Sequence, residues 1–390
     1  MRALQLQEWG GPLVPVELAV PQPGPRDLRL RVRACGVGDT LNNMRGGRNR
    51  SMPGASLPRV IGHEIAGVVD AVGADVVGWE PGQRAYVYMY LTCGRCEACR
   101  WGHDPLCRSM RGMVGLAIDG GFAEYLVVPA ANVGPLPDEV DDLAACVAVD
   151  ALATPWHALG AVARLRATDT LVVIGAGGGV GIHAVMVGAM MGARVLAVDI
   201  TPEKIAFAIE HGADEAIDGT DDVAGAVMVG AMMGARVIAV DITPEKRAFA
   251  TEHGADEAID GNGDVESAVR ESTNGSGADV ILDYVASSAM LGPAFEALAP
   301  DGRLVIQGVN PPGDEFRVEP RAFVHRQVSV AGSRYASRRE VAEAIELVRR
   351  GRIRPVVSRT APLDEAESLF RSIADRTLLG RAAVVVSEPS

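Results

Sequence analysis

The chain has 390 residues, of which 48% are hydrophobic and 22% are charged, a composition typical of a globular protein large enough for two domains. Its formal net charge of −13 argues against a nucleic acid or an anionic membrane as its partner. The N-terminus shows no apolar run followed by a small-residue cleavage site, so no secretory signal is visible. We therefore expect a cytoplasmic protein with neither a nucleic-acid nor a membrane partner.

The chain order predicts two kinds of structure. The first 150 residues alternate short β-type runs with Pro and Gly turns, which is typical of a barrel-like β domain. From residue 170, apolar strands such as 171–174 alternate with alanine-rich helical segments, which predicts a parallel sheet with crossover helices. The C-terminal part holds one amphipathic helix at 340–349 and a final strand at 382–386. The predicted fold class is α/β, a β-barrel domain joined to a doubly wound sheet.

A tandem repeat interrupts this pattern. Residues 184–219 recur as residues 226–261, and only three positions differ. Two copies are too few for a solenoid, so a duplication inside the α/β domain is the simpler interpretation. Ile205 and Ile209 share one helix face in the first copy and are replaced by polar residues in the second. Either this face is covered by the inserted unit or by a neighbouring subunit, or the differences are drift.

Four of the six cysteines fall within fifteen positions, at Cys93, Cys96, Cys99 and Cys107. Four thiolates at this spacing can surround one tetrahedral Zn²⁺ with no open position, which predicts a structural site. An iron–sulfur cluster and unliganded core cysteines are the alternatives. Such a cluster indicates a metal site in a reducing compartment rather than a disulfide framework.

A glycine-rich turn follows the predicted strand at 171–174 and precedes a predicted helix. Free N–H groups and the helix dipole at such a turn favour a diphosphate group, and glycines let the backbone approach it. The predicted cofactor-binding residues of this turn are Gly175, Gly177, Gly178, Gly179, Val180 and Gly181.

Asp199 ends the next predicted strand, eighteen residues after Gly181. A carboxylate there accepts hydrogen bonds from the ribose hydroxyls and repels a 2′-phosphate, so NAD is favoured over NADP. Lys204, on the following helix, is predicted to flank the ribose. The second copy of the repeat places Asp241 in the same context, and chain continuity favours Asp199.

Together these motifs resemble the zinc-type alcohol dehydrogenases of the medium-chain dehydrogenase/reductase superfamily. The segment GHEIAGVV at 62–69, the cysteine lobe and the glycine turn occur in that family's order. The resemblance covers essentially the whole chain apart from the duplicated 42 residues. It implies a GroES-like catalytic domain at 1–150 and 336–390, with the structural zinc lobe at 91–109. It also implies a Rossmann NAD-binding domain at 151–335.

The resemblance further implies roles for individual residues. His63 and Asp150 match ligands of a catalytic zinc, which would act as a Lewis acid on the alcohol oxygen. Glu64 matches the acidic neighbour of that metal, and Thr40 matches the hydroxyl that starts a proton relay. Arg381 matches a residue that approaches the cofactor phosphates, with a surface salt bridge as its alternative.

Two positions depart from the family pattern. Gly38 stands where the family has a cysteine ligand, and Asn43 stands where it has the relay histidine. A missing thiolate weakens a site for a soft-ligand metal. The resemblance therefore implies an NAD-dependent alcohol dehydrogenase, or aldehyde or ketone reductase, with a modified catalytic metal site. Its implied partners are a small alcohol or carbonyl substrate and further copies of the chain, as a dimer or tetramer.

Two alternatives remain open. One is a reductase of the same superfamily without catalytic zinc, of the quinone or enoyl type, which Gly38 and the spacing of the glycine turn favour. The other is a nucleotide-binding protein without catalytic activity.

Overall fold

The computed structural model describes most of the chain. The residues described are 1–199, 201–218, 236–241, 257–260, 265–309, 315–375 and 377–387, with the backbone alone at 218, 236–241 and 257–260. The chain divides into two compact units, one formed by Met1–Ala153 with Tyr335–Ser390 and the other by Thr154–Arg334. These divisions lie within three residues of the expected domain boundaries.

The described strands are β1 Arg2–Leu6, β2 Leu13–Glu17, β3 Asp27–Val37, β4 Arg59–Val60, β5 Glu64–Val72, β6 Arg84–Val87, β7 Tyr125–Pro129, β8 Val133–Pro135, β9 Thr170–Ile174, β10 Arg194–Asp199, β11 Glu215–Asp218, β12 Arg236–Asp241, β13 Glu257–Asp260, β14 Ala278–Asp283, β15 Leu298–Ile306, β16 Ser329–Gly332, β17 Val357–Pro362 and β18 Arg381–Val385. The described α-helices are α1 Asp39–Arg45, α2 Glu97–Arg100, α3 Asp142–Val147, α4 Ala153–His157, α5 Gly181–Met190, α6 Pro202–Glu210, α7 Val265–Ser272, α8 Ser288–Glu296, α9 Pro320–Arg326, α10 Arg338–Arg349 and α11 Glu367–Ala374. Short 3₁₀ turns lie at Asp104–Leu106, Ala130–Asn132 and Leu363–Glu365.

The first unit is built on a seven-stranded sheet in the order β17-β18-β3-β5-β6-β8, with β7 also pairing with β3. A smaller sheet has the order β2-β1-β4. The long strand β3 alternates buried and half-buried residues at its start and is buried throughout its second half. Because successive residues of a strand point to opposite faces, that second half is buried on both faces, and α3 packs against β3, β5 and β18. The predicted GroES-like β domain is confirmed.

The register of the three central strands positions the candidate site. Ala382 of β18 pairs with Val37 of β3, so Arg381 lies level with Gly38. On the other side of β3, Gly36 pairs with Glu64, the first residue of β5. Residues two apart on a strand share a face, as do directly paired residues. Arg381 and Glu64 therefore flank the two glycines on one face of this sheet.

A helical run at Asp142–Val162, which the sequence pattern did not predict, delivers Asp150 to the same unit. Its N-terminus is capped by Asp141, whose carboxylate accepts a 2.8 Å hydrogen bond from Ala144 N. Ala148–Leu152 is π-helical, and such segments often occur at functional sites. The run is long and apolar enough to cross a membrane, but 72% of its apolar window is buried inside the protein, as in a core helix.

The second unit contains a parallel sheet of eight described strands, in the order β13-β12-β11-β10-β9-β14-β15-β16. From β9 the chain adds strands outward on one side and then returns to β14 on the other side, which is the doubly wound arrangement. Its core cluster includes Val172 of β9, Ile281 of β14 and Phe295 of α8. The predicted Rossmann-type sheet is confirmed.

Both copies of the repeat contribute strands to this sheet. β10 and β11 come from the first copy, and β12 and β13 extend the sheet from β11 with parallel pairing. Helix α6 of the first copy packs on β10 and β11, with Ile205 buried and Ile209 half-buried. In the described residues this helix packs on strands of its own copy, so its covering by the inserted unit or a neighbouring subunit stays a prediction. The corresponding second-copy helix lies outside the described residues.

Deleting residues 220–261 removes one period of the repeat and joins Gly219 directly to Asn262. We expect a folded protein whose unfolding temperature changes by less than about 5 °C, because Ile217 and Val269 remain to pack in the same core. Thermal unfolding followed by circular dichroism checks this.

The matched control deletes 184–225 and gives a chain that differs from the first variant at three positions. It places an arginine at the position of buried Ile205, so we expect it to be the less stable variant. Equal unfolding temperatures would contradict this account of the helix face.

Candidate active site and zinc lobe

The four clustered cysteines meet in a compact lobe at residues 91–109. Their sulfur atoms all lie within 4.8 Å of one another. Individual Sγ–Sγ distances are 3.5 Å between Cys96 and Cys99, and 4.0 Å for both Cys93–Cys99 and Cys96–Cys107. A tetrahedral zinc with Zn–S bonds of about 2.3 Å requires sulfur atoms roughly 3.8 Å apart. The donors present therefore fit one zinc ion with no open position.

Backbone N–H groups prepare this lobe for a cation. Cys96 N donates to Cys93 Sγ, and Cys93 N donates to Cys107 Sγ, both at 3.3 Å. Backbone N–H groups of Cys99 and Arg108 lower the pKa of Cys96 to about 6, which favours its thiolate. Burial, together with the neighbouring Cys96, raises the pKa of Cys99 to about 12. A metal ion would supply the charge that ionises the thiol of Cys99.

Arg338 anchors the lobe to the C-terminal part of the same unit. Its guanidinium pairs with buried Asp104 and donates a 2.8 Å hydrogen bond to Thr92 Oγ1. The same guanidinium lies 4.6 Å from the ring centroid of Tyr88. Sequence reasoning missed this contact because 234 residues separate Arg338 from Asp104 and no local pattern connects them.

A second cluster forms at the strand register described above, and we call it the Arg381 cluster. It consists of His63, Glu64, Asp150 and Arg381, all buried. His63 Nε2 lies 3.3 Å from Asp150 Oδ2 and 3.7 Å from Glu64 Oε1. The structure thus brings together three residues that the sequence predicted for the catalytic metal.

Arg381 lies in the middle of these donors. Its Nε donates a 3.1 Å hydrogen bond to Glu64 Oε2, and its Nη2 pairs with the other oxygen of Glu64. The same Nη2 is 3.6 Å from Asp150 Oδ2. Burial alone would lower the pKa of Arg381, but the charge of Glu64 and its hydrogen bonds raise it, so the guanidinium stays charged.

This arrangement corrects the expected role of Arg381. Its side chain is 4% exposed and its charge is matched by two protein carboxylates, so it is not positioned as a free cation for cofactor phosphates. A salt bridge is present, but it is buried and not at the surface as the alternative expected.

The residues present do not fit a catalytic zinc. Gly38 supplies no thiolate, and a Cβ built on Gly38 would overlap the guanidinium of Arg381. Two carboxylate oxygens, Glu64 Oε1 and Asp150 Oδ2, already lie against the guanidinium of Arg381. A divalent ion held by those oxygens would adjoin a permanent positive charge.

Thr40 and Asn43 lie on α1, which begins directly after Gly38. Thr40 is half-buried in the first turn of this helix. Asn43 donates a 3.4 Å hydrogen bond to the carboxylate of Asp39. Thr40 thus remains the candidate hydroxyl of the first unit, two residues from Gly38.

The glycine turn of the second unit connects β9 with α5 and contacts Asp199. Gly177 N donates a 2.8 Å hydrogen bond to Asp199 Oδ2, and Lys204 Nζ lies 3.8 Å from Asp199 Oδ1. Gly175 N also donates to Val198 O at 2.8 Å, which binds the turn to β10. The other turn residues, Gly178, Gly179, Val180 and Gly181, lead into α5, whose first turn would carry the N–H groups for a phosphate.

The sheet order corrects the inclusion of Asp241 among the cofactor residues. Asp199 ends β10, the direct neighbour of β9, whereas Asp241 ends β12, three strands from β9. Adjacent strands lie about 4.8 Å apart, which places Asp241 roughly 14 Å from the turn. Only the first copy presents its aspartate beside the glycine turn.

Comparison with known proteins shows what the chain is similar to. A family model for the alcohol dehydrogenase GroES-like domain matches residues 24–138, and one for zinc-binding dehydrogenases matches residues 224–350. The chain is 27% identical over 391 residues to an NAD-dependent alcohol dehydrogenase of Saccharolobus solfataricus, covering 99% of this chain and 100% of that protein. It is also 35% identical over 221 residues to an L-threonine 3-dehydrogenase of Deinococcus radiodurans, covering 56% of this chain and 61% of that protein.

The crystal structure of an alcohol dehydrogenase from Aeropyrum pernix is similar throughout, with a TM-score of 0.78 and 27% identity. That comparison covers 99% of this chain and 100% of the other. Over its whole length the chain is therefore similar to zinc-type alcohol dehydrogenases of the medium-chain dehydrogenase/reductase superfamily.

Cys107→Ser removes one of the four thiols of the lobe. We expect the zinc content to fall by about one ion per chain and the unfolding temperature to fall with it, because metal binding contributes folding free energy. Elemental analysis and thermal unfolding check both effects.

Cys146→Ser is the matched control. Cys146 is buried outside the lobe and its thiol donates to Leu143 O at 3.2 Å, a bond that a serine hydroxyl can replace. Zinc loss in this control, or none in Cys107→Ser, would contradict the four-thiolate site.

Proposed function

We propose that the chain is an oxidoreductase that transfers a hydride between NAD(H) and an alcohol or its aldehyde or ketone, with a modified catalytic metal site. The observation that carries this proposal is the contact of Asp199 with the glycine turn, at the carboxyl ends of two neighbouring strands of a Rossmann-type sheet. Full-length similarity to proteins named as NAD-dependent alcohol dehydrogenases supports it.

The second unit supplies the NAD site. The N–H groups at the start of α5 would receive the diphosphate, and Gly181 allows the helix to begin close against the turn, because a side chain there would meet Gly175 O. Asp199 would accept hydrogen bonds from the ribose hydroxyls, with Lys204 beside it. We propose NAD rather than NADP because a buried carboxylate repels a 2′-phosphate.

The chemistry is a balanced two-electron transfer. The carbinol carbon gives a hydride to the nicotinamide ring of NAD⁺, and the hydroxyl oxygen loses its proton as the carbonyl forms. Thr40 is the proposed first member of the proton path. Asn43, unlike a histidine, has no basic nitrogen to pass the proton on. The path must therefore continue through a different group or through water.

The setting of the reaction completes the proposal. The four-cysteine lobe holds a structural zinc, and its thiols suit a reducing cytoplasm. The substrate is a small alcohol or carbonyl compound, and the active form is a dimer or tetramer of identical chains.

The function is tested by following NADH absorbance with a panel of primary and secondary alcohols and the matching carbonyl compounds. We expect turnover of alcohols with NAD⁺. Turnover restricted to quinones or activated double bonds would favour the reductase alternative. Binding of NADH without any turnover would favour a non-catalytic protein.

Asp199→Ala tests the cofactor assignment. Loss of the ribose hydrogen bonds is expected to raise the KM for NAD⁺ by about 10-fold or more, since a hydrogen bond to a charged group contributes about 1.5–3 kcal/mol. The KM for NADP⁺ should fall, because the repulsive carboxylate is gone. Steady-state kinetics with both cofactors measures the two effects.

Asp214→Ala is the control for Asp199→Ala. Its carboxylate accepts a hydrogen bond from Val195 N in the same unit, away from the glycine turn. An unchanged preference between the cofactors in Asp199→Ala would rule out its ribose role.

A further inference from the structure

A side chain at position 38 would occupy the same space as the guanidinium of Arg381, as a Cβ built there demonstrates. The strand register places position 38 level with Arg381, because β18 is paired with β3 up to Val37, so a side chain at 38 would require the guanidinium to shift. A glycine at 38 is therefore what allows a long cationic side chain to reach the interior at this point.

The reach of Arg381 ends on two carboxylates. Glu64 receives both Nε and Nη2, which is the paired geometry that a guanidinium fork provides. Asp150, from the π-helical segment, lies 3.6 Å from the same Nη2. Gly36 leaves room for Glu64 in the same way, since a Cβ there would overlap the carboxylate.

His63 completes the cluster beside the two carboxylates. Its Nε2 faces the carboxylates of Asp150 and Glu64, and in the described chain its Nδ1 has no hydrogen-bond partner. An imidazole nitrogen that donates a proton to a carboxylate has no lone pair for a metal. With the proton on Nε2, His63 would donate to these carboxylates and offer no lone pair to a competing metal.

We propose that in this chain the buried guanidinium of Arg381 takes the place of the catalytic metal, so that the Arg381 cluster binds no zinc. Its cation is covalently part of the chain and is held by Glu64 and Asp150. Arg381 is a positioning residue, because it acts through these carboxylates. This inference deepens the proposed function and rests on it for the location of the active site, but its test needs no turnover.

The first test is the zinc content of the purified full-length protein after dialysis against metal-free buffer. We expect about one zinc ion per chain, bound by the four-cysteine lobe, and about none in Cys107→Ser. About two ions per chain, with one retained in Cys107→Ser, would overturn the proposal. Failure of the alcohol assay leaves this count unchanged, so the two proposals fail separately.

The second test restores the missing ligand and removes the cation. The double variant Gly38→Cys/Arg381→Met would present a thiolate beside His63 and Asp150, a ligand set that suits zinc. We expect zinc to rise from about one to about two ions per chain, whereas Gly38→Cys alone should stay near one. A folded double variant that still binds about one ion would refute the displacement of metal by Arg381.

A thermal double-mutant cycle covers the case in which the single variants are destabilised. Arg381→Met leaves Glu64 and Asp150 without their cation, and Glu64→Gln leaves Arg381 with Asp150 alone, whereas the combined variant removes both members of the Arg381–Glu64 pair. We expect the combined variant to unfold at a higher temperature than Arg381→Met alone. Additive losses would show that the pair is not coupled and would contradict the proposal.

Discussion

The pairing of β18 with β3 places a charged arginine inside the first unit, and much of the site follows from that placement. Arg381 is held there by Glu64 and Asp150, and removing one partner of such a buried pair typically costs about 3–5 kcal/mol. The surrounding strands, the glycines at 36 and 38 and the π-helical segment carrying Asp150 all accommodate this cluster. The site is therefore a constraint on the fold as well as a place for chemistry.

The four-cysteine lobe and the Arg381 cluster lie in the same unit but are held together in different ways. In the lobe, four thiols with little surrounding core can be held together by a metal ion, and Arg338 attaches the lobe to the C-terminal part through Asp104. In the cluster, carboxylates that could have held a metal are neutralised by a side chain. A soft thiolate set suits zinc, whereas two carboxylates already paired with a guanidinium do not.

The repeat shows how a parallel sheet tolerates enlargement. Its second copy adds strands at the outer edge beyond β11, so β9 keeps β10 and β14 as its neighbours. The glycine turn and Asp199 depend on those neighbours and are left in place. An insertion between β9 and β10 would have separated them.

Local spacing determined much of this protein. The cysteine cluster, the glycine turn with Asp199, the residues His63, Glu64 and Asp150, and the change from β texture to alternating strands and helices can all be seen in the sequence. The tertiary structure decided which aspartate of the repeat adjoins the turn, where Arg381 goes and what anchors the lobe. These depend on strand order and register between distant segments, such as the 317 residues separating Glu64 from Arg381. Sequence periodicity reports the face of one element, and it does not report which distant element packs against that face.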